Sequence, residues 1–388
     1  MTDDIEYAVQ LRRELHRHPE IGFDLPKTLA LVRRELDLCG ISYTEEYGKS
    51  SIVATINPEC KGFTIGLRGD MDALPVTEET DCDFKSEAEG RMHACGHDIH
   101  TAIMLGTARR LQEHREELDC RVKILFTPAE EYTTPGCEQM AENGVMDDID
   151  CAAACHVAPN FEVGTIGLIS DAMNANSMGM TAEFFGTSAH ANAQQKGRDA
   201  IRMAVEAYTA MENMAAKEID AVEPRVLNIG VFEGGHTNNV ICDYCKLFLT
   251  TRAYRDEVTD FMHRRIEEIC HGIARMHGGR AEVTVNKRLP YVWNDDRVVK
   301  ALRSTAKSVI GEANIFPAPR TLGGEDFGFL SRKKPCAMFR LGSRSELPGT
   351  DRTLHNAGIV FDERCIAVGI EIFTHFVMDH QEGIEGIV

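Results

Sequence analysis

The sequence of 388 residues contains no apolar run of the roughly 18–20 residues that a membrane-spanning helix needs. Residues 1–20 are acidic and then amphipathic, and they lack the basic start and apolar middle of a secretion signal. Basic residues are also few, since 42 Lys and Arg stand against 61 Asp and Glu for a formal net charge of −19. We therefore expect neither a membrane nor a nucleic acid as partner.

A regular cysteine framework is missing as well. The thirteen cysteines are odd in number and irregularly spaced, which argues against a secreted disulfide scaffold and favours a reducing cytoplasm. Hydrophobic residues make up 43% and charged residues 27%, as is typical of globular proteins. The chain is too long for one compact core, so two domains are expected.

Predicted strands and helices alternate in residues 1–176 and 288–388, which indicates one discontinuous α/β domain with a mixed, largely parallel sheet. Residues 177–287 follow the order β-α-β-β-α-β of a split βαβ arrangement and are interpreted as an inserted α+β domain. Its four-stranded sheet would leave edge strands that pair with a second copy. We therefore predict a homodimer formed through the inserted domain.

The segment GRMHACGHDIHTA at residues 90–102 concentrates possible metal ligands on a turn before a predicted helix. Cys95 and His97 flank Gly96, and a thiolate with an imidazole suits zinc or a neighbouring transition metal. Asp98 is a candidate to orient His97 through the other ring nitrogen. The alternative is a buried thiol beside a hydrogen-bonded imidazole.

Two glutamates follow a second predicted strand, RVKILFT, at its carboxyl end. Of Glu130 and Glu131, one could bind a metal while the other takes a proton from water, although both could instead be solvated charges. Asp70 and Asp72 follow another strand, and a short strand is predicted to end at His156. Function gathers at such strand ends in parallel sheets, so we expect one shared site.

Nine motifs occur in register along nearly the whole chain: HRHPEIGF, RGDMDALPV, HACGHDIHTA, PAEE, CHVAP, GTSAHA, GG with NNVI, GGEDFGFL and LHNAGIVFDE. In these motifs the sequence resembles the hippurate-hydrolase and auxin-amide-hydrolase branch of the aminoacylase and carboxypeptidase dimetal family. The resemblance implies a zinc-exopeptidase-like catalytic domain with a ferredoxin-like inserted domain for dimerisation or for covering the site.

The resemblance also implies roles for residues that spacing alone leaves as ordinary structural residues. The implied metal ligands are Cys95, His97, Glu131, His156 and His355. Glu130 is the implied general base and then acid, with Asp72 orienting the site, and His190 polarises the scissile carbonyl of the neighbouring subunit's substrate. Asn239 and Arg252 are the implied substrate-binding residues, and the turn at Gly324 would allow close backbone approach to a ligand.

The implied activity is hydrolysis of the amide bond of N-acyl amino acids to a carboxylic acid and an amino acid. A dipeptidase or carboxypeptidase is the alternative that shares this machinery, and an inactive metal-binding scaffold is the remote one. One or two divalent ions per subunit are expected. Zinc is favoured, and manganese, cobalt or nickel would accept the same ligands.

Overall fold

A computed structural model describes residues 3–132 and 134–384, and the chain divides into two compact units. The first unit comprises the chain up to Met173, Val292–Arg320 and the chain from Asp326. The second comprises Asn174–Tyr291 and Thr321–Glu325. The predicted inserted domain, residues 177–287, begins and ends within a few residues of the main segment of the second unit. The prediction placed residues 321–325 in the other domain.

The elements are numbered in chain order. The α-helices are α1 (Asp3–Arg17), α2 (Pro26–Leu38), α3 (His97–Glu113), α4 (Gly136–Glu142), α5 (Ala200–Lys217), α6 (Asp256–Met276), α7 (Asp296–Ile310), α8 (Phe327–Ser331) and α9 (Arg364–Asp379). The strands are β1 (Ser42–Thr44), β2 (Ile52–Ile56), β3 (Thr64–Asp70), β4 (Arg121–Thr127), β5 (Cys151–Glu162), β6 (Ile166–Leu168), β7 (Asp171–Asn174), β8 (Asn176–Phe185), β9 (Ala189–His190), β10 (Arg225–Gly234), β11 (Val240–Ile241), β12 (Tyr244–Ala253), β13 (Arg280–Leu289), β14 (Val292–Asn294), β15 (Ile315–Pro317) and β16 (Cys336–Arg344).

The first unit is built on a sheet with the strand order β1-β2-β4-β3-β5-β16-β6-β15. The pairs β4–β3, β3–β5, β5–β16 and β6–β15 are parallel, and the other neighbours are antiparallel. Every residue of the central strand β3 is buried, as expected for a parallel strand that is covered on both faces. The predicted mixed, largely parallel sheet is confirmed.

Helix α3 carries the predicted metal-ligand motif at its start and is buried on almost all sides. It packs against β3 and between the helices α1 and α9, and its residues from His97 to Ala108 are buried. A helix that is buried around most of its circumference is a core helix rather than a surface one. It begins two residues earlier than the predicted start at Ile99, so that His97 belongs to its first turn.

The prediction that a short strand ends at His156 is wrong, because β5 continues to Glu162. The neighbouring strand β16 pairs with β5 on both sides of this histidine, with Arg340 opposite His156 and Arg344 opposite Glu162. This ladder satisfies the backbone polar groups beyond His156 and keeps the strand extended. His156 therefore projects from within a strand of the sheet.

The second unit contains an antiparallel sheet of order β10-β12-β8-β13 against which α5 and α6 pack. The chain order β8-α5-β10-β12-α6-β13 is the split βαβ arrangement predicted from the sequence. Strand β12 buries alternate residues, including Cys245, Leu247 and Leu249, and these face the two helices. Strands β10 and β13 form the two edges of the sheet.

All thirteen cysteines are free thiols, and ten of them are buried. Most therefore serve as small core residues rather than as cross-links. Within residues 3–132 and 134–384, no helix combines the length and apolar character required to cross a bilayer.

Candidate metal centre

A glycine with a left-handed backbone sets the geometry of the turn before α3. Gly96 has φ of +84°, and a Cβ atom added there would lie 2.4 Å from Val157 Cγ2. Only glycine satisfies both the positive φ and the close approach. The turn directs the buried side chains of Cys95 and His97 toward donors from other parts of the first unit.

Six donor residues meet in one cluster of the first unit, which we call the donor cluster. Three overlapping triplets define it, and within each triplet the donor atoms lie within 4.8 Å of one another: Cys95, His97 and His156; Cys95, Glu131 and His355; and His97, Glu130 and Glu131. Cys95 Sγ lies 3.4 Å from His156 Nε2, and His355 Nε2 lies 2.9 Å from Glu131 Oε1. The fold thus brings together all five predicted ligands and the predicted base.

One donor, and the residue before two others, are held on unusual backbone. His355 has φ of +67°, and its N–H donates to the carbonyl of Ala94 at 3.0 Å. Ala129, directly before the two glutamates, has φ of +58°. Such conformations cost about 1–3 kcal/mol in non-glycine residues and are found often at functional sites.

The side chain of Asp72 accepts backbone hydrogen bonds from both glutamates. Its Oδ1 accepts the backbone N–H of Glu130 at 3.0 Å, and its Oδ2 accepts that of Glu131 at 3.1 Å. The same Oδ1 lies 3.3 Å from His97 Nδ1. Asp72 therefore contacts three members of the donor cluster.

The environment and the chemistry of the donors suit a metal ion. Within the described residues, neither ring nitrogen of the buried His97 has a hydrogen-bond partner of acceptable geometry. A buried polar group without a partner is costly unless something else satisfies it, and a cation would do so. A thiol, three imidazoles and carboxylates are also the ligands that zinc and neighbouring transition metals prefer. The residues fit divalent ions.

Residues 66–379 match the sequence profile of Peptidase family M20/M25/M40. The chain belongs to this family. Hippurate hydrolase from Campylobacter jejuni is 32% identical, with 96% of each chain covered. N-acetylcysteine deacetylase from Bacillus subtilis is 30% identical, covering 95% of this chain and 96% of the relative.

A solved structure of the same family has a similar fold over the whole chain. The Bacillus subtilis YXEP protein, a dinuclear metal binding peptidase from the M20 family, superposes with a TM-score of 0.83 at 28% identity. The match covers 97% of this chain and 98% of that one. As a member of a peptidase family, the chain is a hydrolase that acts on amide bonds, and the predicted family resemblance is confirmed.

Burial governs the protonation of two residues of the donor cluster, Cys95 and His156. Burial raises the pKa of the Cys95 thiol well above its usual range, and the Glu131 carboxylate raises it further. Burial, with the nearby His100, lowers the pKa of His156 well below its usual range. His156 is then a neutral imidazole, and its Nδ1 contacts the Val157 carbonyl at 2.8 Å, which leaves Nε2 toward Cys95. A cation binding there would have to displace the Cys95 proton.

A buried charge network that the sequence analysis did not identify adjoins the donor cluster. Arg68 Nη1 donates to Asp70 at 2.8 Å, and Arg68 Nη2 donates to Asp326 at 2.5 Å. Asp70 Oδ1 lies 2.6 Å from His100 Nδ1, and His100 Nε2 accepts the N–H of Val157 at 2.9 Å. Although burial opposes the charged form, Arg68 and the histidines hold the pKa of Asp70 well below its usual range. Its members lie in three of the motifs seen in the sequence, RGDMDALPV, HACGHDIHTA and GGEDFGFL, but nothing in the sequence joined them.

The expectation that Asp98 orients His97 is wrong. Asp98 Oδ2 contacts His16 Nδ1 at 2.7 Å and forms an ion pair with Arg12 Nε at 2.8 Å, whereas Asp70 and Asp72 are the carboxylates near His97. Successive helical residues point about 100° apart, so neighbours in α3 face different partners. The HRHPE motif therefore supplies His16, whose side chain contacts the first turn of α3.

The remaining predicted residues belong to the second unit. His190 is exposed on β9, and pairing with β11 brings the N–H of Ala191 to the carbonyl of Asn239 at 2.9 Å. Two predicted substrate-contacting residues thus lie beside one another. Arg252, on β12, donates from Nη1 to the carbonyl of Leu322 at 2.8 Å.

Gly324 has a packing reason to be glycine within its own unit. A Cβ atom added there would lie 2.7 Å from Leu289 Cδ1 and 3.3 Å from Ser177 Cβ. The predicted ligand approach at this turn is therefore not required to explain the residue, and it stays a prediction.

Proposed function

We propose that the protein is a metal-dependent amidohydrolase that cleaves the amide bond of N-acyl amino acids to a carboxylic acid and a free amino acid. The observation that carries the proposal is the donor cluster, in which Glu130 lies among the candidate ligands, with its backbone held by Asp72. The hippurate hydrolase and the deacetylase among the relatives support this substrate class.

In this proposal Cys95, His97, Glu131, His156 and His355 hold one or two divalent ions. Zinc suits the mixture of thiolate, imidazole and carboxylate best, and manganese, cobalt or nickel would accept it. Bound ions would supply Lewis acidity toward the attacking water and the acyl oxygen.

Glu130 is assigned the proton transfers. Its carboxylate removes a proton from the attacking water and later delivers a proton to the nitrogen of the departing amino acid. Asp72 keeps the carboxylate in place through the backbone hydrogen bond to Glu130, and the same aspartate holds Glu131. Asp72 thus positions both the proposed base and a proposed metal ligand.

Residues of the second unit are assigned to the substrate. Arg252 pairs its guanidinium with the carboxylate of the amino acid, a geometry that the planar fork of arginine suits. Asn239 binds the substrate through its side-chain amide, and the turn at Gly324 allows close backbone approach. His190 donates a hydrogen bond to the acyl oxygen in the active site of the neighbouring subunit of a homodimer. The exposed edges of the four-stranded sheet support such a dimer.

The test is a substrate screen on one preparation whose metal content is measured. N-acetyl and N-benzoyl amino acids are compared with dipeptides of the same amino acids, with zinc, manganese, cobalt or nickel added. We expect the N-acyl amino acids to be hydrolysed with the higher kcat/KM. Faster hydrolysis of the dipeptides would replace the proposal by the dipeptidase or carboxypeptidase alternative. A metal-loaded protein that hydrolyses neither class would support the inactive scaffold.

A further inference from the structure

A second group of metal-type donors lies in the first unit, apart from the donor cluster. It consists of His16, Glu78 and Cys82, whose donor atoms all lie within 4.8 Å of one another. His16 Nε2 is 3.3 Å from Glu78 Oε1, and Cys82 Sγ is 3.6 Å from the same oxygen. Tetrahedral zinc with ordinary bond lengths separates a nitrogen and an oxygen ligand by about 3.3 Å, and a sulfur and an oxygen ligand by about 3.5 Å. The three side chains already have nearly this spacing.

The imidazole of His16 is oriented as in many metal-ligating histidines. Its Nδ1 lies 2.7 Å from the buried carboxylate of Asp98, which leaves Nε2 to face Glu78. A carboxylate bonded to the remote nitrogen fixes the ring and strengthens the ligand. The neighbouring cation Arg12 is paired with Asp98 at 2.8 Å and with Glu363 at 3.3 Å, so its charge is offset.

Glu78 is held with one oxygen available to the group. Its Oε2 accepts the backbone N–H of Ser86 at 2.7 Å, while Oε1 faces His16, Cys82 and the hydroxyl of Thr80. These contacts therefore hold the Glu78 carboxylate in place without a bound ion. Both ring nitrogens of His16 face carboxylates and the Cys82 thiol donates to Glu78, so binding would release one proton from His16 Nε2 and one from Cys82 to solvent.

A route for entry exists at Cys82. This residue is partly exposed and lines a cavity of about 700 Å³, together with Asp81, Asp83 and Phe84. The two aspartates are exposed on either side of the thiol and would attract cations. His16 and Glu78 lie behind Cys82 and are themselves buried.

We propose that His16, Glu78 and Cys82 form a second, soft-metal site that takes Zn²⁺ or Cd²⁺ through the cavity beside Cys82. It goes beyond the proposed hydrolytic function, because none of its three ligands belongs to the donor cluster. Its closest connection to that cluster is Asp98, which contacts His16 and directly follows His97 in the chain.

The test counts metal ions without using substrate. The full-length protein, Cys82→Ser and the control Cys60→Ser are dialysed to equilibrium against the same free zinc concentration, and zinc per chain is measured by mass spectrometry. Cys60 is a suitable control because it is another partly exposed thiol of the first unit. We expect the unaltered protein and Cys60→Ser to bind one more ion per chain than Cys82→Ser.

A second measurement follows Cys82 itself in the unaltered protein and in Glu78→Gln. Saturating zinc or cadmium should slow alkylation of Cys82 by iodoacetamide at least tenfold, should leave Cys60 unaffected, and should protect Cys82 far less in Glu78→Gln. Equal zinc content in Cys82→Ser and the unaltered protein would overturn the proposal, as would alkylation of Cys82 that zinc does not slow. Neither result depends on amide hydrolysis.

Discussion

The carboxylate of Asp72 accepts the backbone N–H of Glu130 at 3.0 Å, so an acid two residues beyond strand β3 positions a glutamate that follows strand β4. Replacing Asp72 by Asn puts an amide NH₂ where one of two acceptor oxygens stood. One backbone N–H of the glutamate pair then loses its partner.

For Asp72→Asn we expect kcat/KM to fall about 10- to 100-fold, as is usual when residues that orient metal ligands are changed. Steady-state kinetics and metal content of the purified variant measure the effect. The exposed Asp37→Asn is the control and should behave like the unaltered protein. Unchanged kinetics in Asp72→Asn would remove its positioning role.

Glu130→Gln tests the assignment of the base. The amide has the shape of the carboxylate but cannot accept a proton, so we expect turnover to fall at least about a hundredfold while bound metal is retained. Metal content and single-turnover rates are measured on the same sample. Glu138→Gln, on helix α4, serves as the control for loss of one negative charge. Turnover at the parent rate would assign the proton transfers to another group.

Gly96→Ala tests the turn that presents Cys95 and His97. The new Cβ would meet Val157 Cγ2 at 2.4 Å on a backbone with φ of +84°, and overpacking and left-handed strain each cost about 1–3 kcal/mol. We expect a lower Tm together with weaker metal binding, measured by thermal unfolding and dialysis.

Gly90→Ala is the matched control for this variant. Gly90 also has a positive φ, +70°, but an added Cβ meets nothing within 4 Å. Only the strain of the left-handed backbone remains there, about 1–2 kcal/mol. Similar losses of stability and metal binding in the two variants would show that the contact with Val157 is unimportant.

Mixing two inactive variants tests whether His190 acts in the neighbouring subunit. In a heterodimer of Glu130→Gln and His190→Ala, the chain with intact Glu130 receives an intact His190 from its partner. Random exchange of subunits at equal amounts should then restore about a quarter of the parent activity, because half of the dimers carry one complete site. Each variant alone is the control. No recovery after exchange, with dimers present by analytical ultracentrifugation, would place His190 in its own subunit's site.

Local sequence was sufficient where chemistry and spacing coincide. Cys95 and His97 are two residues apart across a glycine turn, so their convergence needs no long-range information. The alternation of strands and helices likewise predicted both the parallel sheet and the split βαβ unit. Apolar residues recur every 2 residues in a strand and every 3.6 residues in a helix, so the sequence itself indicates the type of each element.

Only the tertiary structure decided how distant residues combine. His156 and His355 are far apart in the chain, and they were assigned from the resemblance because no local pattern can specify a contact made by the packing of separate strands and loops. The partner of Asp98 was mispredicted for the same reason: a helix fixes the angle between successive side chains, but the elements packed around it fix what each one meets. The sequence by itself therefore determined the donor chemistry and the order of the elements. Long-range packing decided that Arg68, His100 and Asp326 form the charged layer beneath the donors, and that His16 contacts Asp98.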